Sequence, residues 1–319
     1  MTADVCVIFN GSAGSGRAAA RLRRLRRTLG PRADFRPTER RGHGEELALE
    51  AARAGFPIVA AAGGDGTVHE VANGLLRSGR RDAALAVLPI GSANDYAHSL
   101  GVGPDWWARP DAAIETASVD VGAVRAPGGR ATYFVNNLGV GLTGAVALGA
   151  ERIPLPGLGR YMVSLLRTLC FRYHTPMTAV TLDGKTWHGP TLALTLGLGK
   201  REGNFILVPD AILDDGAFDY VHAGALTRWA LVRLLPAAVA GRLPTDHPEV
   251  RLGRCQRARV YSEVPLTAHT DGELFCRPRD GVRELEVELL PGQLRVLRRT
   301  TNSVERPRPG GGGAGAPPP

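Results

Sequence analysis

The stretch Ile58-Val59-Ala60-Ala61-Ala62-Gly63-Gly64-Asp65-Gly66-Thr67-Val68-His69-Glu70 runs from an apolar segment, through three glycines around one carboxylate, into a helix-like segment ending near Leu76. Ile58–Ala62 reads as a buried strand, so the glycines occupy a strand-to-helix turn. Without a Cβ, glycine turns sharply and lets backbone N–H groups approach a phosphate closely. A carboxylate in the same turn repels that phosphate unless a metal ion or a proton-transfer role compensates it. The combination points to a nucleotide with Mg²⁺. The structural alternative is a tight βα turn with Asp65 as helix N-cap.

Working outward, the first part of the chain alternates strands and helices. Ala3–Asn10 reads as a strand; Arg17–Leu29 carries Leu22, Leu25 and Leu29 on one helical face; His43–Ala54 is helix-like; Ala84–Pro89 is a strand; and Asn94–Leu100 is a short helix. This βαβα order predicts a parallel sheet covered on both faces, with ligands beyond the carboxyl ends of its strands. Three Gly-rich turns, at 10–16, 63–67 and 91–95, each follow a strand and should converge on one crevice. In the third, Ser92 is a candidate helix cap, and Asp95 is a second carboxylate that would favour a metal or an ordered water beside Asp65.

From about residue 118 short strands dominate: Val119–Val124, Thr132–Asn136, Thr178–Leu182, Trp187–Leu196, Phe218–His222, Arg257–Ser262, Leu266–Thr270 and Leu285–Leu289. Asp183-Gly184 is a hairpin turn signal. The expectation is a β-rich antiparallel sandwich interrupted by helical segments near 158–172 and 226–240. The domains are read as 1–122, with 291–300 as a candidate completion, then 123–290, then a disordered tail over 301–319. The literal GxGxxG at Gly139-Val140-Gly141-Leu142-Thr143-Gly144 lacks the acidic residue expected about 20 positions later for a dinucleotide site, and is assigned to backbone packing.

The chain has 319 residues, 44% hydrophobic and 22% charged, the balance of an ordinary globular protein. No segment reaches the apolar length of a membrane span, and no basic region precedes the N-terminal apolar run. Cys6, Cys170, Cys255 and Cys276 form no CxxC pair, which fits a reduced cytoplasmic compartment and excludes a zinc framework. The eight histidines show no ligand spacing. The net charge of +8 is carried by arginine, since Lys185 and Lys200 are the only lysines. Such a surface suits nucleic acid, anionic lipid or nucleotide. Arg21, Arg23, Arg24, Arg26 and Arg27 face away from the first leucine stripe, as a solvated face would. Arg160–Arg172 mixes apolar side chains with three arginines and reads as either a core helix or a membrane-interface helix.

Two further acidic turns remain. Pro209–Phe218 packs Asp210, Asp214 and Asp215 together, either as a polar loop or as a hard-cation site of one carboxylate with backbone carbonyls. Thr270-Asp271-Gly272-Glu273 is a hairpin turn whose i, i+2 carboxylates would face one side, which suits a general base.

Taken in order, Gly63–Gly74 (GGDGTVHEVANG), Gly91–Ala97 (GSANDYA), Val119–Gly122 (VDVG), the turn at 212–217 and Asp271–Glu273 resemble the diacylglycerol kinase catalytic-domain family, lipid kinases that also include sphingosine and ceramide kinases. The similarity spans about residues 4–298. His69 stands where the family pattern has asparagine, and Gly11 and Ala13 replace its proline and serine. The resemblance implies an α/β domain of phosphofructokinase or NAD-kinase type and ATP-dependent phosphorylation of a diacylglycerol-like or sphingoid hydroxyl. It implies ATP on Asn10, Gly11, Ser12, Ala13, Gly14, Thr38, Gly64, Asp65, Gly66, Thr67, Val68, His69, Glu70 and Ser92. Asp65, Asp95 and Asp120 would form a carboxylate–water network around a catalytic Mg²⁺. A structural Mg²⁺ would sit on Asp215 and the carbonyls of Ile212 and Ala217, and Glu273, with Asp271 beside it, would be the base. The implied partners are a lipid substrate and, peripherally, a membrane surface reached from the cytoplasm. Nucleic acid is not implied, and a homodimer is left open. The alternatives are a kinase with a soluble acceptor such as NAD, and a nucleotide-binding protein without turnover.

Overall fold

The computed structural model describes residues 3–10, 16–109, 113–155, 157–203, 205–244 and 246–300. The chain begins β1 (Val5–Asn10), α1 (Gly16–Leu29), β2 (Ala33–Thr38), α2 (His43–Arg53), β3 (Ile58–Gly63), α3 (Asp65–Ser78), β4 (Ala84–Pro89) and α4 (Asp95–Ser99). These strands lie in the order β2-β1-β3-β4, all parallel. Every residue of β4 and all but the first of β3 are buried, because helices cover both faces and leave no solvent side for alternation. Leu25 is buried against β1, with Leu22 and Leu29 packed around it, as their spacing predicts. β2 gave no signal in the sequence: it is an edge strand interrupted by Pro37, a residue that edges tolerate.

The chain continues β5 (Ile114–Arg125), β6 (Thr132–Phe134), β7 (Asn137–Gly141), α5 (Leu142–Ala150), α6 (Gly157–Phe171), β8 (Met177–Leu182), β9 (Lys185–Pro190), β10 (Ala193–Gly197), β11 (Arg201–Glu202), β12 (Phe205–Ile206), β13 (Phe218–Ala223), α7 (Arg228–Val239), β14 (Val250–Cys255), β15 (Arg257–Ser262), β16 (Ala268–Thr270), β17 (Glu273–Cys276) and β18 (Glu284–Arg299). β14-β13-β10-β7-β16-β17 form one antiparallel sheet. β18 joins the first sheet parallel to β4, β15, β8 and β9 continue it in antiparallel fashion, and the alternating burial of β8 and β15 marks one solvated face. Between the sheets the rings of Phe134 and Phe218 stack at 5.5 Å.

β18 links the two halves. Its start pairs β15, and Arg295 and Val296 run parallel to Ala84 and Leu85 of β4. The register against β5 shifts between Leu290 and Leu294, where Gly292 has φ +58°.

Some expectations hold and others are corrected. Trp187–Leu196 is two strands, β9 and β10, in different sheets. Gly139 and Gly141 lie in β7 and lead into α5, a helix not anticipated. A Cβ on Gly139 would stand 2.2 Å from Thr143 Oγ1 and 2.3 Å from His269 Nε2, so close packing accounts for that glycine. Asp183-Gly184 and Asp271-Gly272 are hairpin turns with both residues at positive φ. The tail 301–319 lies outside the described residues.

Candidate active site

α3 begins immediately after β3, with Gly64 as its N-cap and Asp65 as its first helical residue, so Asp65 is not the cap. Gly64 and Gly91 touch back to back: a Cβ on Gly91 would stand 2.3 Å from Gly64 Cα. The second and third glycine turns therefore meet, as expected. Gly11, Ser12, Ala13 and Gly14 of the first turn lie outside the described residues. α4 is capped by Asn94, not Ser92; Gly91 N–H donates to Asn94 Oδ1, and Asn94 Nδ2 donates to Gly91 O.

The first turn of α3 separates two depressions. One is a polar cleft lined by Asn10, Thr38, Arg40, Arg41, Gly64, Gly66, Thr67, Glu70 and Glu273. The other is an apolar cavity between the second sheet and α5, α6 and α7, and its lining includes Asp65, Val68, Asp95 and Asp271. Of the residues assigned to ATP, Asn10, Thr38, Gly64, Gly66, Thr67 and Glu70 line the polar cleft. Asp65 and Val68 face the apolar side, His69 pairs with Asp271, and Ser92 is exposed and outside the cleft lining. Glu70 also fastens the loop before α2, accepting N–H bonds from Gly42 (2.7 Å) and Gly44 (2.8 Å).

The acidic residues divide into three groups. Asp65 Oδ1 accepts from Tyr96 N–H, and Asp95 Oδ2 accepts from Gly203 N–H at 2.6 Å. Burial, then the charge of Asp95, raises Asp65 to about 6 despite bonds from the Tyr96 and Asp95 backbone. Two buried carboxylates held this way form a donor set for a hard cation. Asp120 belongs elsewhere. Its oxygens accept from Gly216 N–H (2.7 Å) and Gly292 N–H (2.8 Å), tying the 212–217 turn to the bulge in β18. Near it, Asp215 is raised by burial and pairs with Arg254, and Asp219, raised by burial to about 6, keeps a buried Oδ2 without a hydrogen-bond partner among the described residues. Among the described residues no group of three or more His, Cys, Asp or Glu is arranged as a metal site.

Asp271 and Glu273 do not face one side as strand neighbours would. Asp271 occupies the turn at φ +52° and accepts from the N–H groups of Val135, Asn136 and Asn137 as well as bonding His69. Glu273, on β17, reaches across to the polar cleft: its Oε1 would be 2.7 Å from a Cβ on Gly66, and its Oε2 pairs with Arg41. Arg41 also meets Glu151 at 3.3 Å, and Glu151 pairs with Arg277 at 2.9 Å.

Sequence reasoning missed Arg41, Tyr161, Glu202 and His269. Tyr161 lines the cavity, and its hydroxyl is raised by burial and by Glu273, Asp65 and Glu202. None sits in a local motif; each reaches the site only through tertiary contacts.

The model of the diacylglycerol kinase catalytic domain matches residues 4–126, and that of the YegS C-terminal NAD kinase beta sandwich-like domain matches residues 136–298. The chain is 30% identical over 301 residues to "Probable lipid kinase YegS-like" of Pseudomonas aeruginosa (strain UCBPP-PA14), covering 92% of this chain and 93% of the relative. It is 30% identical over 238 residues to a diacylglycerol kinase of Staphylococcus aureus (strain JH9), 72% of each. The crystal structure of a diacylglycerol kinase from Bacillus anthracis str. Sterne shares the fold, with a TM-score of 0.67, 20% identity and coverage of 93% of this chain and 97% of that one.

Proposed function

Because the chain belongs to the diacylglycerol kinase catalytic-domain family, we propose that it is an ATP-dependent kinase whose acceptor is the hydroxyl of a lipid. One observation carries this reading: the apolar cavity, lined by Leu165, Leu192, Leu226, Leu231, Leu234 and Val250 among others, is also lined by Asp65, Asp95 and Asp271, while the polar cleft takes its lining from the other side of the same helix turn. A soluble acceptor has no use for such a lining.

In this reading ATP occupies the polar cleft, with its phosphates at the N-terminal end of α3, where the helix dipole favours an anion. The lipid chain fills the cavity and presents its hydroxyl beside Asp65, Asp95 and Asp271. Glu273 takes the hydroxyl proton as the oxygen attacks the γ-phosphorus; the bond to the β-phosphate oxygen breaks, and ADP leaves. Asp271 fixes the turn that carries Glu273. Asp65 and Asp95, carboxylates that both line the cavity, would hold Mg²⁺, which would supply positive charge to offset that building on the transferring phosphoryl group. The Arg254 guanidinium pairs with both Asp215 and Asp219 and occupies the place where a structural Mg²⁺ on Asp215 was expected, so no role is assigned to a cation there.

No helix among the described residues is long and apolar enough to cross a membrane. In our reading the lipid is reached by docking. α6 exposes Leu166 and Phe171 beside Arg167 and Arg172, and α7 exposes Trp229 and Val232 beside Arg228 and Arg233. The opposite faces of both helices line the cavity, which suits an interfacial position. The burial of Leu165 and Leu169 supports the core-helix reading of Arg160–Arg172, and the exposed Leu166 and Phe171 leave the other face of the same helix for the interface we propose.

The test is transfer of labelled γ-phosphate to diacylglycerol, sphingosine or ceramide in mixed micelles. Loss of transfer in Asp65→Ala and Glu273→Ala, with circular dichroism unchanged, is the expected result. Full activity in both variants would overturn the site assignment, and preference for a water-soluble acceptor would overturn the lipid reading.

A further inference from the structure

We propose that the Arg254 guanidinium takes the place of a structural cation in the 212–217 turn, so that this part of the fold is fastened by the chain's own side chains and needs no metal ion. This goes beyond the kinase reading and does not rest on it.

The turn leads into β13 and carries Asp214 and Asp215, with Asp219 as the second residue of the strand. Asp215 and Asp219 are both largely shielded from solvent. Burial raises Asp219, Arg254 opposes the rise, and the charges of Asp215 and Asp210 add to it. Carboxylates gathered in this way repel one another unless a cation lies among them. The family resemblance implied that Mg²⁺ fills this place; the structure fills it from β14. Arg254 stands directly opposite Asp219 in the β13–β14 register, and opposed residues of an antiparallel pair project from the same face. Arg254 Nη2 bonds Asp215 Oδ2, and its Nε lies 3.9 Å from Asp219 Oδ2. One guanidinium therefore spans both carboxylates. Half of the Arg254 side chain is exposed, but strand pairing fixes where its stem begins.

The rest of the turn is fastened in the same manner. The Leu213 carbonyl accepts from Asp120 N–H at 2.7 Å, and the Gly216 carbonyl accepts from Gln256 Nε2 at 2.8 Å. Gly216 N–H donates to Asp120 Oδ2 at 2.7 Å, and Arg298 Nη1 donates to Asp214 Oδ2 at 2.8 Å. Each residue from 213 to 216 is thus held by a partner on β5, on β18 or at the β14–β15 corner. Carbonyl and carboxylate oxygens that could serve a hard cation are already committed to protein donors. Mg²⁺ demands near-octahedral oxygen geometry and sheds its water reluctantly. A guanidinium is permanently charged, more weakly hydrated and planar, which suits it to bridging carboxylates.

The test follows the rise in melting temperature that Mg²⁺ causes in the full chain, without nucleotide and at constant ionic strength. With Arg254 in place, that rise should be the same whether or not Asp215→Asn is introduced. Arg254→Met removes the charge and keeps much of the stem. It should melt lower in chelator and gain from millimolar Mg²⁺ an additional rise of at least about 2 °C, abolished when Asp215→Asn is added. A rise in the Arg254-containing protein that shrinks with Asp215→Asn would overturn the proposal. So would an Arg254→Met protein that gains no additional response to Mg²⁺. Counting bound ions needs no change at Arg254. Mn²⁺ titrated into the unaltered protein and into Asp215→Asn, followed by the electron paramagnetic resonance of the free ion, should show equal numbers bound. A smaller number in Asp215→Asn would overturn the assignment even if Arg254→Met does not fold. These readouts are metal binding and unfolding, so their failure leaves the kinase reading standing, and failure of phosphoryl transfer leaves this one standing.

Discussion

His69 Nδ1 stands 2.9 Å from Asp271 Oδ2, joining α3 to the β16–β17 turn across 202 positions of sequence. Among the described residues Asp271 otherwise receives only backbone N–H groups, so His69 is the one side chain among its hydrogen-bond partners there that can carry charge. The pair holds the turn from which Glu273 projects. Removing the ring in His69→Ala leaves a buried carboxylate short of a partner and should cost about 1–3 kcal/mol of stability, measured by urea unfolding. Burial opposes a charge on His69, but the bond and charge of Asp271, with Glu273 and Glu70, more than offset it and raise the pKa above 6.5. A raised histidine contributes stability that is full below the unfolded pKa and lost as pH rises through the folded one. The gap between the unaltered protein and His69→Ala should therefore narrow as pH climbs above 6.5. A gap independent of pH would show that the pair carries no charge.

Gly66 lines the polar cleft and also lies against the proposed base. A Cβ at this position would lie 2.7 Å from Glu273 Oε1 and 3.6 Å from its Cδ, and the structure gives it no other close neighbour. The obstacle is the end of a flexible side chain, so Gly66→Ala should fold normally while pushing the carboxylate away from the hydroxyl. Loss of general-base help is worth roughly 10²–10⁴ in rate, so kcat should fall by about 10²-fold with little change in thermal stability. A Gly66→Ala protein with normal kcat would show that Glu273 does not act from this position.

These two contacts mark where sequence reading stops. Ile58–Ala62 and Ala84–Pro89 were legible because a strand buried on both faces is apolar throughout, and the two Asp-Gly turns because type I′ geometry needs those residues. The pairing of Asp271 with His69, the contact of Glu273 with Gly66, and the placing of Glu202 by the Gly203–Asp95 bond all join positions more than a hundred residues apart. No local pattern encodes such a contact. The division of Trp187–Leu196 between two sheets was hidden for a related reason: each half is a good strand, and only tertiary pairing shows that they part.

Asp65 should reveal a conflict between stability and function. Burial and the Asp95 charge raise it from 3.8 to about 6. A carboxyl raised in this way binds more protons folded than unfolded, so its contribution to stability falls as pH rises from about 4 to 6 and remains unfavourable above that. Asp65→Asn keeps the shape and removes the charge. Its melting temperature at pH 8 should therefore exceed that of the unaltered protein by a few degrees, at roughly 2–4 °C per kcal/mol recovered. Phosphoryl transfer should fall by at least about 10³-fold. Mg²⁺ should raise the melting temperature of the unaltered protein and leave Asp65→Asn less affected. Equal Mg²⁺ stabilisation of both would place the cation away from Asp65.

The docking face can be separated from the catalytic centre because its residues point away from the cavity. Phe171 is 84% exposed and Trp229 78% exposed, yet Leu165 on the same helix as Phe171 and Leu231 near Trp229 line the cavity. Large aromatic side chains this open, beside Arg172 and Arg228, match an interface helix that buries apolar groups at headgroup depth and pairs its cations with anionic lipid. Replacing both aromatics with alanine should lower binding to vesicles containing phosphatidylglycerol by at least about tenfold in a sedimentation assay, at about 0.8 kcal/mol per methylene-sized group withdrawn from the membrane. Melting temperature should be unchanged, because neither side chain contributes to the core. Activity on a short-chain, monomerically dissolved lipid should persist, while activity on the same headgroup in vesicles falls with binding. Vesicle binding unaffected by the double change would mean that another face of the protein meets the bilayer.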